Sequence, residues 1–240
     1  VFVLTLVWEG GGAAVMGSIQ PQPLPNQGDG TLLLSDIEAA IKPDDAHFAR
    51  TRLLALENTW GGQVLPMAYV EAATSLARKR GLARHLDGAR LFNAAVASGV
   101  RAREITRHFD SVSVCFSKGL GTPAGSALCG SRDFIARAHR WRKMAGGGMR
   151  QAGIIAAAAL YALDHNIDRL AEDHANAKAL ARGLAQIKGL KVEEPETNLV
   201  FFDTSELGVT AQEFSRRARN QGLSFGAMGP YRARACTHLD

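Results

Sequence analysis

Short apolar runs alternate with amphipathic stretches along most of the chain, the pattern of successive βαβ units. Leu53-Leu-Ala-Leu-Glu57 reads as a buried strand. Pro66 then opens a helix running to about Arg80, with proline at its start and Gly81 as its stop. Leu82 to Leu86 is the next strand, and Asp110 to Phe116 follows with alternating β-branched residues. A short strand at Ser126 to Cys129 should be reached by a hairpin through Gly121 to Gly125. Two helices come next, Arg132 to Ala145 and Gln151 to about His165, separated by Gly146-Gly147-Gly148. The alanine-rich stretch Ile154 to Leu163 has strong helix propensity and few polar side chains, so a buried helix is expected there.

From Asn166 the texture changes. A charged helix (Asp168 to Ile187) leads to a strand near Lys191, another at Asn198 to Phe202, a helix at Ala211 to Gln221, and a strand ending at Thr237. The pattern predicts an α/β chain with a large domain over 1–165, built on a mostly parallel sheet between helices, and a smaller α/β domain over 166–240. Val1 to Trp8 is strongly apolar, but a membrane span needs roughly 20 residues and no basic region precedes it. It reads as one more strand. The chain starts without methionine and stops directly after a strand-like segment, so a piece of a longer protein is expected.

Composition narrows the function classes. Hydrophobic residues make up 46% and charged residues 21%, enough for an ordinary core and no membrane partner. The net charge of +5 raises the question of nucleic acid. The basic residues are spread out, however, and the densest cluster, Arg137 to Lys143, lies on one helix without paired aromatics. That is a solvated face or a site for small anions, and no nucleic-acid partner is expected. Cys115, Cys129 and Cys236 have no paired spacing for a metal or a redox motif. They sit in apolar, strand-like surroundings as small hydrophobes, which fits a reducing compartment, the cytoplasm.

Two segments carry chemistry: His85-Leu-Asp-Gly-Ala-Arg90 and Cys115-Phe-Ser-Lys-Gly-Leu-Gly121. In each, a strand ends in a charged residue followed by glycine, and α/β sheets bind ligands at that carboxyl edge. Asp87 and Lys118 lie about one βαβ unit apart, so both can face one cleft. Taken singly, Asp87 caps a turn and Lys118 points to water. Taken together they match the needs of a pyridine aldehyde cofactor. A lysine of depressed pKa must attack the aldehyde, a carboxylate must keep the ring nitrogen protonated, and glycines must let the backbone pass close by.

The run from Leu53 to Tyr161 resembles the low-specificity threonine aldolases, pyridoxal-phosphate enzymes of aminotransferase-like fold. The matching pieces are Leu56-Glu-Asn-Thr59, His85-Leu-Asp-Gly-Ala-Arg-Leu-Phe-Asn93, Ser117-Lys-Gly-Leu-Gly121 and Arg142-Lys143 with Gly146-Gly-Gly-Met-Arg-Gln151. Thinner matches lie at Gly11 to Val15, at Thr197-Asn198 and from Arg234 onward. The resemblance implies pyridoxal 5'-phosphate as cofactor, with Lys118 as the imine-forming lysine and Asp87 as the partner of the ring nitrogen. His85 and Trp60 would lie beside the cofactor. Arg90 would sit near both cofactor and substrate, and Arg234 would be the main clamp for the substrate carboxylate. Lys143 and Arg150 match cationic positions around the site. The implied reaction is retro-aldol cleavage of threonine, allo-threonine and related β-hydroxy amino acids to glycine and an aldehyde. A homo-oligomer, dimer or tetramer, is implied as well, and no metal.

The chain departs from the family pattern at two imidazoles, where Leu4 and Trp60 stand in place of histidine. Leucine can neither stack nor accept a proton, and Trp60 can only stack. Two other readings therefore remain beside the aldolase: a β-eliminating lyase on the same scaffold, and an impaired copy that survives as a folded remnant or interaction partner.

Overall fold

The structure, a computed structural model, describes residues 10–239. The strand expected at Val1 to Trp8 and the position of Leu4 lie outside the described residues. Two short helices come first, α1 (Gly12–Gly17) and α2 (Leu34–Ala40). A first sheet follows, from β1 (Leu53–Glu57), β2 (Ala83–Gly88), β3 (Ser111–Cys115) and β4 (Ser126–Gly130), in that spatial order. The first three strands are parallel and β4 is antiparallel to β3. A parallel pair needs a crossover, and helix α3 (Met67–Lys79) supplies it between β1 and β2. Helices α4 (Leu91–Ser98) and α5 (Ala102–Thr106) connect β2 to β3.

Period-2 alternation divides this sheet into two unlike faces. Leu54, Leu56, Leu86, Val112 and Val114 point one way and are buried. Against them pack Val70, Ala73 and Ala77 of α3, spaced three and four residues apart, with Leu91 and Ala94 of α4. Each such fully buried large side chain stabilises the fold by roughly 1.5–3 kcal/mol. The other face carries Ala55, His85 and Ser111 in register, then a fully polar row of Glu57, Asp87 and Ser113 at the carboxyl edge. The sheet thus ends in side chains that an apolar core would reject.

After β4 come α6 (Arg132–Met144), α7 (Gly153–His165) and α8 (Leu170–Leu184). Ser131 caps α6 by accepting the Phe134 N–H. No residue of α6 is buried, so its Arg137–Lys143 cluster is a solvated face. The second sheet is antiparallel, ordered β5 (Lys191–Val192), β6 (Leu199–Asp203), β8 (Arg232–Cys236) and β7 (Gly226–Ala227). Helix α9 (Ala211–Arg219), capped by the Thr210 hydroxyl, packs on it. Its core is separate from the first. Phe202 meets Phe225 and Phe214 edge-on, with ring centroids 5.4 and 5.6 Å apart, beside Ala177 and Ala181 of α8.

Two expectations are corrected. Helix α7 forms where alanine content predicts, but only Ala159 and Ala162 are buried, while Ile154 is 80% and Tyr161 63% exposed. Helix propensity describes the backbone alone; it does not say what covers the side chains. Cys129 and Cys236 are exposed, although both lie in strands: Cys129 is on β4, an uncovered edge strand among the described residues, and Cys236 alternates with the buried Ala233 and Ala235 of β8. Among the described residues all three cysteines are free, and no helix is long and apolar enough to cross a membrane.

Candidate active site

Asp87 stands at the carboxyl edge of β2, in register with Glu57 on one side and Ser113 on the other. Its Oδ1 accepts the Ala89 N–H at 3.0 Å, so it does cap the turn that leads into α4. Its second oxygen has no partner among the described residues. Turn cap and ligand are compatible roles for a carboxylate with four acceptor sites.

Lys118 lies on the loop 116–125 between β3 and β4. The Phe116 N–H donates to the Gly125 carbonyl (3.0 Å) and the Thr122 N–H to the Phe116 carbonyl (3.1 Å), which close the loop. Gly121, at φ 75, takes a backbone shape that other residues avoid, and its N–H reaches the Lys118 carbonyl at 2.8 Å. The His238 ring nitrogen reaches that same carbonyl at 2.8 Å. Asn166 donates to the Leu120 carbonyl at 2.8 Å. The backbone under Lys118 is therefore pinned from both sheets. Its side chain is half-buried and its ammonium makes no hydrogen bond or ion pair among the described residues.

The charged groups near this sheet edge act on one another. The Glu57 carboxyl is pushed up to about 7, first by burial and then by the Asp87 charge, while Arg90 and Lys118 oppose the shift. Burial lowers the Arg90 pKa, and the nearby Arg234 lowers it further. Arg234 sits on β8 in register with Phe201, so the second sheet delivers its guanidinium toward the first. Burial also lowers the His85 pKa; its Nδ1 is 2.8 Å from the Ser111 hydroxyl, two residues before Asp87 on the same sheet face.

A buried polar junction holds the two sheets in this arrangement. Asn93 of α4 bonds His174 of α8 (3.2 Å) and Asn198 beside β6 (3.4 Å). Asn198 donates in turn to the Thr237 carbonyl (3.1 Å), and the Thr237 hydroxyl donates to the Asp173 carbonyl (2.6 Å). Asp173, fully buried, is paired with Arg169 at 2.8 Å. Apart from the Asp173–Arg169 pair, these contacts span 39 to 105 positions of sequence, and sequence reasoning assigns none of them a role. Glu57 is the other omission. Glu57 closes β1 as Asp87 nearly closes β2, but Asn58 and not glycine follows it.

The remaining expected residues stand further off. Trp60 forms a bridge with Gln63 and packs against Gly30. Lys143, at the end of α6, and Arg150, in the following loop, are exposed, and no contact among the described residues ties either to the Lys118 cleft. Three of the five buried side-chain atoms without a hydrogen-bond partner among the described residues cluster at this edge: Asn58 Nδ2, Thr59 Oγ1 and Arg90 Nε. Buried donors left open are costly unless something accepts from them. The edge therefore fits an acceptor-rich ring bound between Asp87 and Lys118. A cavity of about 320 Å³ lies elsewhere, at the start of β3, lined by Leu91, Phe109, Val112 and Val114, and holds none of these groups.

A two-sheet α/β chain with a lysine and an aspartate at the carboxyl edge of a mostly parallel sheet defines a class of aminotransferase-like proteins. Residues 5–207 match the family model described as beta-eliminating lyase. Low specificity L-threonine aldolase of Escherichia coli K12 is 52% identical over 234 residues, which cover 98% of this chain and 69% of the relative. Probable low-specificity L-threonine aldolase 2 of Arabidopsis thaliana is 41% identical, over 97% of this chain and 68% of the relative. Among solved structures, a putative L-allo-threonine aldolase from Listeria monocytogenes superposes with a TM-score of 0.82 at 25% identity, covering 99% of this chain and 67% of that one. The chain belongs to the beta-eliminating lyase family and, within it, to the low-specificity L-threonine aldolases.

Proposed function

We propose that this protein, with pyridoxal 5'-phosphate, cleaves threonine, allo-threonine and related β-hydroxy amino acids between Cα and Cβ, releasing glycine and an aldehyde. The observation that supports the reading is the register of Glu57 with Asp87 at the carboxyl edge of the first sheet, with Arg90 and Lys118 near enough to act on Glu57. When bound, the cofactor supplies an aldehyde for amines to attack and a protonated ring that accepts the electron pair of the breaking bond. Lys118 offers the primary amine, on a backbone fixed by the Gly121 and His238 contacts. Asp87 offers its free carboxylate oxygen to a ring N–H while its other oxygen stays on Ala89. Arg90 offers the open Nε to an oxygen of ring or substrate. Arg234 grips the substrate carboxylate, a task suited to the two parallel donors of a guanidinium. His85 supports Asp87 from the same sheet face. Trp60, Lys143 and Arg150 are assigned to the outer rim. Holding the Cα–Cβ bond upright to a fixed ring is the positioning that selects it for cleavage.

The division into 1–165 and 166–240 is carried over as part of this reading, because each sheet has its own core. Exposed Trp141, Met144, Ile154 and Tyr161 support a homo-oligomer, and the free cysteines support a cytoplasmic setting. The family's own description favours β-elimination as a second reading. Product analysis with threonine and added cofactor separates the two. Glycine with acetaldehyde, lost in Lys118→Ala, is the expected result; ammonia with a keto acid would overturn it.

A further inference from the structure

Among the described charged residues at this sheet edge, Glu57 is left without a task by this reaction. It closes β1 directly opposite Asp87, on the same sheet face. Two carboxylates side by side titrate as a pair, and one of them takes the first proton. The charged groups that face Glu57 are Asp87 from β2, Arg90 at the start of α4 and Lys118 from the loop after β3. His85 and Cys115 complete the polar face, each in contact with a serine hydroxyl, Ser111 and Ser117. Asp87 already receives a backbone N–H, that of Ala89, on one oxygen. Glu57 receives no hydrogen bond and makes no ion pair among the described residues. It is largely shielded from water, and burial pushes its carboxyl up to about 7. The shared proton therefore lodges on Glu57.

We propose that Glu57 is a positioning residue that holds the proton of the Glu57–Asp87 pair, leaving Asp87 as the one carboxylate charge at the strand edge, and thereby sets the pH dependence with which the site holds a pyridine ring. This rests on the cofactor reading above. Near neutrality Glu57 begins to ionise and adds a second negative charge beside a cationic ring, so cofactor affinity should rise with pH. A residue that merely filled space would produce no such step.

The test compares the full chain with Glu57→Gln, equal in shape but unable to titrate, and with Glu57→Asp, which keeps an acid. Without cofactor, infrared difference spectra between about pH 6 and about pH 8 should show a protonated carboxyl stretch disappearing in the native chain and in Glu57→Asp, but not in Glu57→Gln. With pyridoxal 5'-phosphate, the affinity of the native chain relative to Glu57→Gln should rise across that range, about tenfold for each unit by which ring and carboxyl shift one another. Absence of the infrared band, or affinity curves that run parallel, overturns the proposal. If neither protein takes up cofactor at any pH while the band is present, the aldolase reading fails and the role toward the ring fails with it; the proton-holding by Glu57 then stands alone.

Discussion

Gly119 follows Lys118, and a single methyl group added there measures how tightly the loop is held. In Gly119→Ala the new Cβ would stand 2.7 Å from Asn93 Oδ1 and 3.0 Å from Leu170 Cδ2. Ordinary contacts are about 3.3 Å or more to oxygen and about 3.5–4.0 Å between carbons, so each neighbour must retreat by roughly half an ångström or more. Neither is free to do so. Asn93 is 2% and Leu170 0% exposed, and the Asn93 amide is committed to His174 and Asn198. Overpacking of this kind costs about 1–3 kcal/mol, and a strained side-chain hydrogen bond adds about 1 kcal/mol. A loss of about 2–4 kcal/mol is expected, read as a lower urea midpoint at unchanged slope. The matched control is Gly183→Ala in α8, where nothing lies within 4 Å of the new Cβ; alanine there should stabilise by about 0.5–1 kcal/mol. Were both variants within about 0.5 kcal/mol of the native chain, the packing of the Lys118 loop against Asn93 and Leu170 would be wrong.

Phe202→Ala, which empties the aromatic cluster of the second sheet, should cost about 3–5 kcal/mol in the same assay, and a loss under about 1 kcal/mol would contradict the packing. Burial holds the folded pKa of His174 below 6.5, so the unfolded chain binds that proton more readily and stability is lost as pH falls below 6.5. Glu57, raised to about 7, acts in the opposite sense, gaining stability as pH falls through 7. In Glu57→Gln the acid side should therefore steepen, and in Glu57→Gln with His174→Gln it should flatten again; urea midpoints against pH read both, and no difference between these variants would refute the signs. Arg234→Lys replaces a two-pronged donor with a point charge and should raise the substrate KM by about 10–100-fold with a smaller change in kcat, whereas an unchanged KM would remove Arg234 from the carboxylate.

Much of this arrangement is legible from local pattern alone. Strand β1 coincides with Leu53 to Glu57, and β3 lies within the expected Asp110 to Phe116, because alternation and β-branching speak directly about a pleated surface. Asp87 and Lys118 can be picked out because each is a charge at or just beyond a strand end with glycine after it, a position that period and punctuation reveal. Exposure of α7 could not be read, since an alanine-rich segment looks the same whether covered or bare. Helices α1, α2, α4 and α5 escape notice because each is only 5 to 8 residues long, too short for a helical period to establish itself. The Asn93, His174 and Asn198 junction was invisible for another reason: its members are far apart in sequence, and only the packed sheets bring them together. Glu57 lacks the following glycine that marks Asp87, and only the pairing of β1 with β2 makes the two carboxylates neighbours.

The whole account depends on the Lys118 amine and the Asp87 carboxylate flanking one pyridine ring. Incubating the chain with excess pyridoxal 5'-phosphate, reducing with borohydride and mapping the modified peptide tests this most directly. The account predicts one cofactor mass on the peptide bearing Lys118, with much weaker labelling in Asp87→Ala. Label spread over other lysines, or labelling of Lys118 indifferent to Asp87, would contradict it.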